Sequence, residues 1–129
     1  GAQDALVPVM ENEKVDFVQF QYNIEERSAE DSILRVAADR GIATMINVPF
    51  GRGRLFKQTE GKEIPEWAAE FAESGGQFYL KFILSHPAVT CIIPATNKPP
   101  HMVDNAGAGR GRLPDAKERQ RMIDYVESI

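Results

Sequence analysis

Residues 94–105 read Pro-Ala-Thr-Asn-Lys-Pro-Pro-His-Met-Val-Asp-Asn, a short stretch carrying hydroxyl, amide, ammonium and imidazole groups. Ala95, Thr96, Asn97 and Lys98 supply small and polar groups directly after the apolar run Val89–Ile93. That run is short, β-branched and apolar on both faces, the pattern of a fully buried parallel strand. Pro94 cannot donate a ladder hydrogen bond, so pairing is expected to stop there. Pro99 and Pro100 suit the first turn of a helix, because their rings pre-set φ. A loop at the carboxyl end of a parallel strand, leading into a helix with unpaired N–H groups, is a natural anion site. An ordinary strand-to-helix connection with no ligand can be built from the same residues. Gln19 is a second candidate, a lone amide among Val15, Phe17, Val18 and Phe20. If buried, it has four hydrogen-bonding valences to satisfy, through a polar ligand or through neighbouring side chains and water.

The elements that must position these groups alternate between helix and strand. Asp4–Asn12 reads as a short helix interrupted near Pro8, followed by a strand over Val15–Phe20. Ser28 and Asp31 have capping-box spacing ahead of an apolar stripe of Ile33, Leu34, Val36 and Ala37, and Gly41 is the expected C′ residue. Ile42–Val48 is the second strand, and Gly51–Glu63 is a long polar loop. Pro65 starts a short helix with Trp67 and Phe71 on one face, and Gly75-Gly76 breaks it. A further helix carries Phe78, Tyr79, Phe82 and Ile83 and stops before Pro87. After the third strand and the helix from Pro99, Asp115 and Glu118 form a capping box for a terminal helix with Met122, Ile123 and Val126 on one stripe. Three strands alternating with helices imply right-handed parallel β-α-β units, an α/β fold.

At 129 residues the chain is expected to form one domain, 1–129, with a core of its own. A net charge of −4 favours neither nucleic acid nor a membrane surface. The run Gly-Arg-Gly-Arg-Leu occurs at 51–55 and again at 109–113. Gly-Arg runs can bind RNA, but two short copies between periodic elements of an acidic chain argue for turns. The single cysteine, Cys91, has no partner for an internal disulfide and reads as a small core residue. No apolar run reaches the roughly 18 residues of a membrane span, and a cytoplasmic protein is expected.

Four collinear stretches carry a resemblance. Lys14–Ile24 (KVDFVQFQYNI), Gly41–Phe56 (GIATMINVPFGRGRLF), Phe78–Pro94 (FYLKFILSHPAVTCIIP) and the segment from Pro94 to Asn105 resemble the last three β-α units of the aldo/keto reductases. The resemblance covers nearly the whole chain, in the family's order and spacing. It implies a partial TIM (β/α)8 barrel of about three parallel strands with flanking helices, the C-terminal half of the family's barrel. A complete barrel takes about 250 residues, so this chain spans roughly half of one.

In that family a nicotinamide cofactor lies across the carboxyl ends of the strands, without a Rossmann glycine-rich loop. Gln19 corresponds to the glutamine that holds the nicotinamide carboxamide. Asn47 stands where many relatives place an aromatic that stacks on the nicotinamide ring. Val48, Phe50 and Gly51 match the loop that passes the pyrophosphate, and the arginines after Gly51 could reach a cofactor phosphate. Thr96, Asn97 and Lys98 match the loop at the adenosine phosphate, and Asp104 and Asn105 match positions that touch the adenine amino group. Ala95 stands where relatives carry a lysine for the 2′-phosphate of NADP, and His101 where they often carry an arginine. Lys98 can compensate, but the preference for NADPH over NADH is weakened.

The family's catalytic Asp, Tyr, Lys and His lie on earlier strands and have no counterparts here. Tyr22, Tyr79 and Tyr125 match none of those positions, and His86 reads as structural. The resemblance therefore implies the cofactor-binding half of an NAD(P)H-dependent oxidoreductase, truncated before the catalytic residues. It should be inactive alone, with NADP binding weak or lost. The alternative is a non-catalytic half-barrel with a binding or structural role. Expected partners are the nicotinamide cofactor and, across the open sheet, a second copy as a homo-oligomer, most simply a dimer, or the missing N-terminal half. No metal site is expected.

Overall fold

The structure, a computed structural model, describes residues 2–94, 96 and 98–129. A 3-10 turn, Ala2–Ala5, leads into α1, Leu6–Asn12. Pro8 does not interrupt this helix. It occupies the first turn, where its missing N–H would have had no intrahelical partner. Strand β1, Phe17–Gln21, is followed by a 3-10 turn at Ser28–Asp31 and helix α2, Ile33–Arg40. Ser28 does not cap: its hydroxyl donates to Glu26 instead. Gly41 ends α2 in the left-handed region at φ 67°, as its position after the apolar stripe requires.

Strand β2 is Ala43–Asn47, shorter at both ends than expected: the Ile42 N–H donates to the Ala37 carbonyl at the end of α2, and Val48 turns away at φ 52°. The segment read as one polar loop contains a 3-10 turn, Gly51–Gly53, and helix α3, Arg54–Gln58. One side chain, the fully buried Leu55, anchors that helix in the core. A 3-10 turn at Glu66–Glu70 carries Trp67, and helix α4 is Gly75–Leu84. Gly75 and Gly76 open α4 rather than breaking a helix, since Ser74 accepts from the Gln77 N–H as N-cap. Strand β3 is Cys91–Ile92, helix α5 is Pro99–Gly107, with its prolines in the first turn, and helix α6 is Ala116–Glu127. Both arms of the α6 capping box are made. Asp115 accepts from the Glu118 N–H at 2.8 Å, and Glu118 accepts from the Asp115 N–H at 3.0 Å.

The strands form one parallel sheet in the order β1-β2-β3. Phe17, Gln19 and Gln21 stand opposite Ala43, Met45 and Asn47, and Met45 stands opposite Cys91. Period-two alternation puts Val18, Phe20, Thr44 and Ile46 on the buried, helix-packed face. There they meet Ile33, Leu34, Tyr79, Phe82, Ile83 and Met122. The opposite face is open, and Phe17 on it is 63% exposed.

β3 is therefore not buried on both faces, and Cys91 is exposed rather than a core residue. It is also only two residues long. Thr90 enters through its side chain instead of a backbone ladder: its Oγ1 accepts from the Thr44 N–H, and the Thr44 Oγ1 accepts from the Thr90 N–H, each at 2.9 Å. Arg119 on α6 ties the layers together. Its guanidinium donates to Glu30 and Tyr22 after β1 and to the Phe82 carbonyl and Ser85 at the end of α4.

Candidate functional site

The carboxyl ends of the strands are shaped by two turns. Val48, a β-branched residue in the left-handed region, is followed by Gly51 at φ 59° and Arg52 at φ 58°. A side chain with two branches at Cβ rarely adopts that conformation unless its surroundings impose it. Asn23, buried after β1, imposes it here. Its Nδ2 donates to the Val48 carbonyl at 3.0 Å, while its Oδ1 accepts from the Glu25 and Glu26 N–H groups at 2.9 Å each. Two strand ends are thus locked to one another by one amide.

Beside this turn lies a cleft of about 450 Å³ between α3, the start of α4 and the start of α5. Phe50 and Phe56, with ring centroids 4.7 Å apart, form its aromatic wall. Thr96, His101, Asp104 and Asn105 line the α5 side, Ser74, Gly75 and Gly76 the α4 side, and Thr59, Glu60 and Lys62 the remaining wall. Asp104 accepts from Ser74 Oγ at 2.6 Å, and Gln77 Nε2 donates to the Asp104 carbonyl at 3.0 Å, so the two helix starts are fastened together. The fastening needs close approach: a Cβ on Gly107 would lie 2.4 Å from Gln77 Nε2.

The start of α5 is a poorer anion site than its sequence suggests. Pro99 and Pro100 bring no N–H, and the His101 and Met102 N–H groups donate to the Lys98 carbonyl at 3.0 and 3.1 Å. Thr96 Oγ1 accepts from the Lys98 N–H at 3.2 Å, which shapes the loop just before the helix. Any anion held here is therefore held by side chains more than by helix amides.

Of the residues singled out from the sequence, the cleft gathers Phe50, Thr96, His101, Asp104 and Asn105. Lys98 is exposed at the N-cap of α5 and does not line the cleft. Val48 and Gly51 form the turn behind Phe50. Gln19 and Asn47 lie apart from the cleft on the open sheet face, and Asn97 and Ala95 lie outside the described residues. Gln19 is exposed, because that face carries no covering layer among the described residues, so the burial that would oblige it to find a partner is absent. Asn47 does meet that condition: its Oδ1 is buried with no hydrogen-bond donor among the described residues.

Sequence reasoning missed Asn23, Phe56, Thr59, Glu60, Lys62 and the Ser74–Gly76 corner. Only Ser74 left a legible signal, a serine three residues before Gln77 in capping-box spacing. The other side chains reach the cleft through the unforeseen helix α3 and the turn after it.

The remaining titratable groups with perturbed ionisation serve the fold. Burial pushes the Tyr22 phenol above its ordinary range, helped by Glu30, whose carboxylate accepts from Tyr22 at 2.6 Å. Burial also raises Tyr79, which hydrogen-bonds to the Leu55 carbonyl and Thr59 at 3.1 Å each. Burial, then Arg119, lowers His86, whose Nδ1 accepts from the Ala88 N–H at 3.1 Å. Among the described residues no cluster of three or more His, Cys, Asp or Glu is placed to hold a metal ion, and no helix is long and apolar enough to cross a membrane.

Comparison with known proteins adds to this geometry. No curated protein matches the chain in sequence. Among solved structures, aldo-keto reductase AKR11C1 from Bacillus halodurans superposes with a TM-score of 0.70 in its holo form and 0.71 in its apo form, at 16% identity. These matches cover 95% of this chain and 46% and 47% of the other chains. The thermostable aldo-keto reductase Tm1743, solved with the inhibitor epalrestat, gives a TM-score of 0.66 at 23% identity, over 89% of this chain and 41% of that one. The chain thus spans less than half the length of each, and the likeness shows a shared fold: a parallel three-stranded sheet with its helices, like part of a TIM barrel. In sequence, the model of the aldo/keto reductase family matches residues 6–124. With that match running from α1 into α6 and the fold agreeing throughout, the chain belongs to the aldo/keto reductase family.

Proposed function

We propose that this chain is the C-terminal, cofactor-binding half of an NAD(P)H-dependent aldo/keto reductase barrel, and that residues 1–129 form one structural unit of it. The whole protein reduces a carbonyl by hydride transfer, with the hydride supplied by the bound nicotinamide. The single observation that carries the reading is the cleft, in which Phe50, Thr96 and the His101–Asn105 turn of α5 converge from separate segments. In this reading Thr96, Asn97, Lys98 and His101 hold the phosphate near the adenosine, and Asp104 and Asn105 face the adenine. Val48, Phe50 and Gly51 guide the pyrophosphate, and Gln19 and Asn47 hold the nicotinamide. The donorless Oδ1 of Asn47 supports a fit there, because a carboxamide N–H is the kind of partner it lacks. An amide cannot stack as an aromatic ring does, so Asn47 contributes a hydrogen bond rather than a π-face.

A proton donor for the carbonyl oxygen is supplied from outside these residues. Tyr22 and Tyr79 are committed to internal hydrogen bonds, and their ionisation is pushed up rather than down. The 129-residue chain alone is therefore expected to bind the cofactor weaker than micromolar and to show no aldehyde or ketone turnover. Fluorescence titration with NADPH and NADH tests this. Lys98→Ala with His101→Ala should weaken binding by about tenfold, near 1.4 kcal/mol. Unchanged affinity in that double variant would remove the phosphate assignment.

The second reading, a non-catalytic half-barrel module, draws on the same committed tyrosines and predicts no cofactor affinity at all. In either case the open sheet face, with Phe17, Cys91 and Ile93 exposed, is covered in the assembled protein by further strands. Those strands come from the amino-terminal half of the barrel or from a second copy of the chain, in which case the protein is a homo-oligomer. Light scattering that finds a monomer with no dye-binding apolar surface would count against both.

A further inference from the structure

We propose that Asn23 is a positioning residue for the dinucleotide. By holding the Val48 carbonyl it sets the turn that guides the pyrophosphate, and it touches no ligand itself. This rests on the cofactor-binding function proposed above.

Asn23 is only 4% exposed, and among the described residues its side chain bonds to backbone alone. Its own N–H donates to the Glu26 carbonyl at 3.1 Å, while its Oδ1 accepts from the Glu25 and Glu26 N–H groups. The residue is thus fixed within the loop after β1 before it reaches across to β2. The strand end that carries it is fixed as well. The Gln21 N–H donates to Gln3 Oε1 at 2.6 Å, and Gln3 Nε2 donates to the Gln21 carbonyl at 3.0 Å, much as a neighbouring strand's peptides would. The Tyr22 phenol donates to Glu30 and accepts from Arg119. Asn23 therefore meets Val48 from a rigid base.

The turn at Val48 has less to hold it. Its carbonyl accepts from the Gly51 N–H at 3.3 Å, a long bond, and from Asn23 Nδ2 at 3.0 Å. Val48 is β-branched and sits at φ 52°, far from the extended region that such a side chain prefers. Returned to that region it would prolong β2 and swing Phe50, two residues on, off the wall it shares with Phe56. A glycine at position 48 would have no such preference. The clamp is needed, then, only while a branched side chain occupies that position. A general role of Asn23 in stability would show no such dependence.

Calorimetric titration of the protein with 2′-phospho-ADP-ribose, which carries the pyrophosphate, and with 2′-AMP, which lacks it, tests this. Asn23→Asp keeps the acceptors for Glu25 and Glu26 but loses the donor to Val48. It should weaken 2′-phospho-ADP-ribose about tenfold and 2′-AMP by less than about twofold. Adding Val48→Gly should bring 2′-phospho-ADP-ribose back to within about threefold of the wild type. In the wild type, the NMR signals of the Asn23 side-chain amide should shift with 2′-phospho-ADP-ribose and stay in place with 2′-AMP, a reading that needs no variant to fold. Equal weakening of both ligands, no weakening, no rescue by Val48→Gly, or amide signals that ignore 2′-phospho-ADP-ribose would each overturn the role of Asn23 and leave the cofactor-binding function standing. Binding of neither ligand by the wild type at millimolar concentration overturns both.

Discussion

The run Gly-Arg-Gly-Arg-Leu at 51–55 turns out of β2 and into α3, whereas the identical run at 109–113 turns out of α5 towards the cap of α6. In the first copy Gly51, Arg52 and Gly53 all have positive φ, at 59°, 58° and 87°. Leu55 is 0% exposed, and Arg54 pairs with Glu25 across the turn. In the second copy only Gly111, at φ 78°, is left-handed, and Leu113 is 41% exposed. Its carbonyls are held from outside: Lys81 Nζ, on a residue only 3% exposed, donates to Arg110 O at 2.5 Å and Arg112 O at 2.9 Å. The glycine at the third position is left-handed in both, and that is what the residues themselves specify. Everything else is set by what each copy packs against: a hydrophobic anchor in one, a buried ammonium in the other.

The largest expected difference follows from the anchor. Leu55→Ala removes a fully buried side chain and should cost about 2–5 kcal/mol, while Leu113→Ala should stay within about 0.5 kcal/mol. Urea denaturation midpoints of the two variants check this directly. Equal losses would mean that the two copies are held alike. The second copy should instead yield when its clamp is removed. Lys81→Met keeps the length and the burial but leaves the carbonyls of Arg110 and Arg112 without their donor, at about 1–3 kcal/mol. Hydrogen exchange should then quicken around 109–113 and stay unchanged around 51–55. A uniform increase along the chain would instead mark global destabilisation and count against a local clamp.

This contrast also explains which parts were legible in the sequence. Helix ends written in local chemistry were readable: Gly41 as the left-handed end of α2, Pro99 and Pro100 in the first turn of α5, and the reciprocal cap of Asp115 and Glu118. The alternation of strands with helices was enough for a parallel α/β sheet. Features set by distant partners were not readable. α3 depends on one leucine reaching the core from a polar stretch, so no periodicity announced it. β3 is short because Thr90 and Thr44 exchange hydroxyl bonds across the sheet, which nothing in Val89–Ile93 reveals. On strand pattern alone Cys91 reads as a core residue and Gln19 as an amide among apolar neighbours, yet both are exposed. The side of the sheet they occupy has no covering layer among the described residues.

For the candidate site the division is similar. The family resemblance singles out Phe50, Thr96, His101, Asp104 and Asn105, which the cleft brings together. Glu60 and Lys62 reach it from the turn after α3, and Asn23 acts on the Val48 turn from another strand end. Their positions depend on tertiary geometry that the local sequence does not encode.

The smallest expected effect separates the arginines of the two copies. Arg112 forks onto Glu118, with Nη1 and Nη2 2.6 and 2.9 Å from the two carboxylate oxygens. That hydrogen bond first, and the Asp115 N–H second, hold the Glu118 carboxyl at about 2, below its ordinary 4.5. A carboxyl whose folded value lies below its unfolded one contributes stability that is fully present above the unfolded value. That contribution is lost as the pH falls from about 4.5 towards 2. Arg112→Ala should therefore flatten the fall in stability across this window, with little change at neutral pH, as read from urea midpoints at successive pH values. The effect should be small and should shrink in high salt, because the pair sits at the surface and is screened by solvent and ions. Arg54→Ala changes a different pair, and the acid slope due to Glu118 should survive it intact. If the slope instead survives Arg112→Ala, the capping N–H of Asp115, and not the guanidinium, is what holds Glu118 ionised, and the second copy owes its acid sensitivity to the helix cap rather than to its arginine.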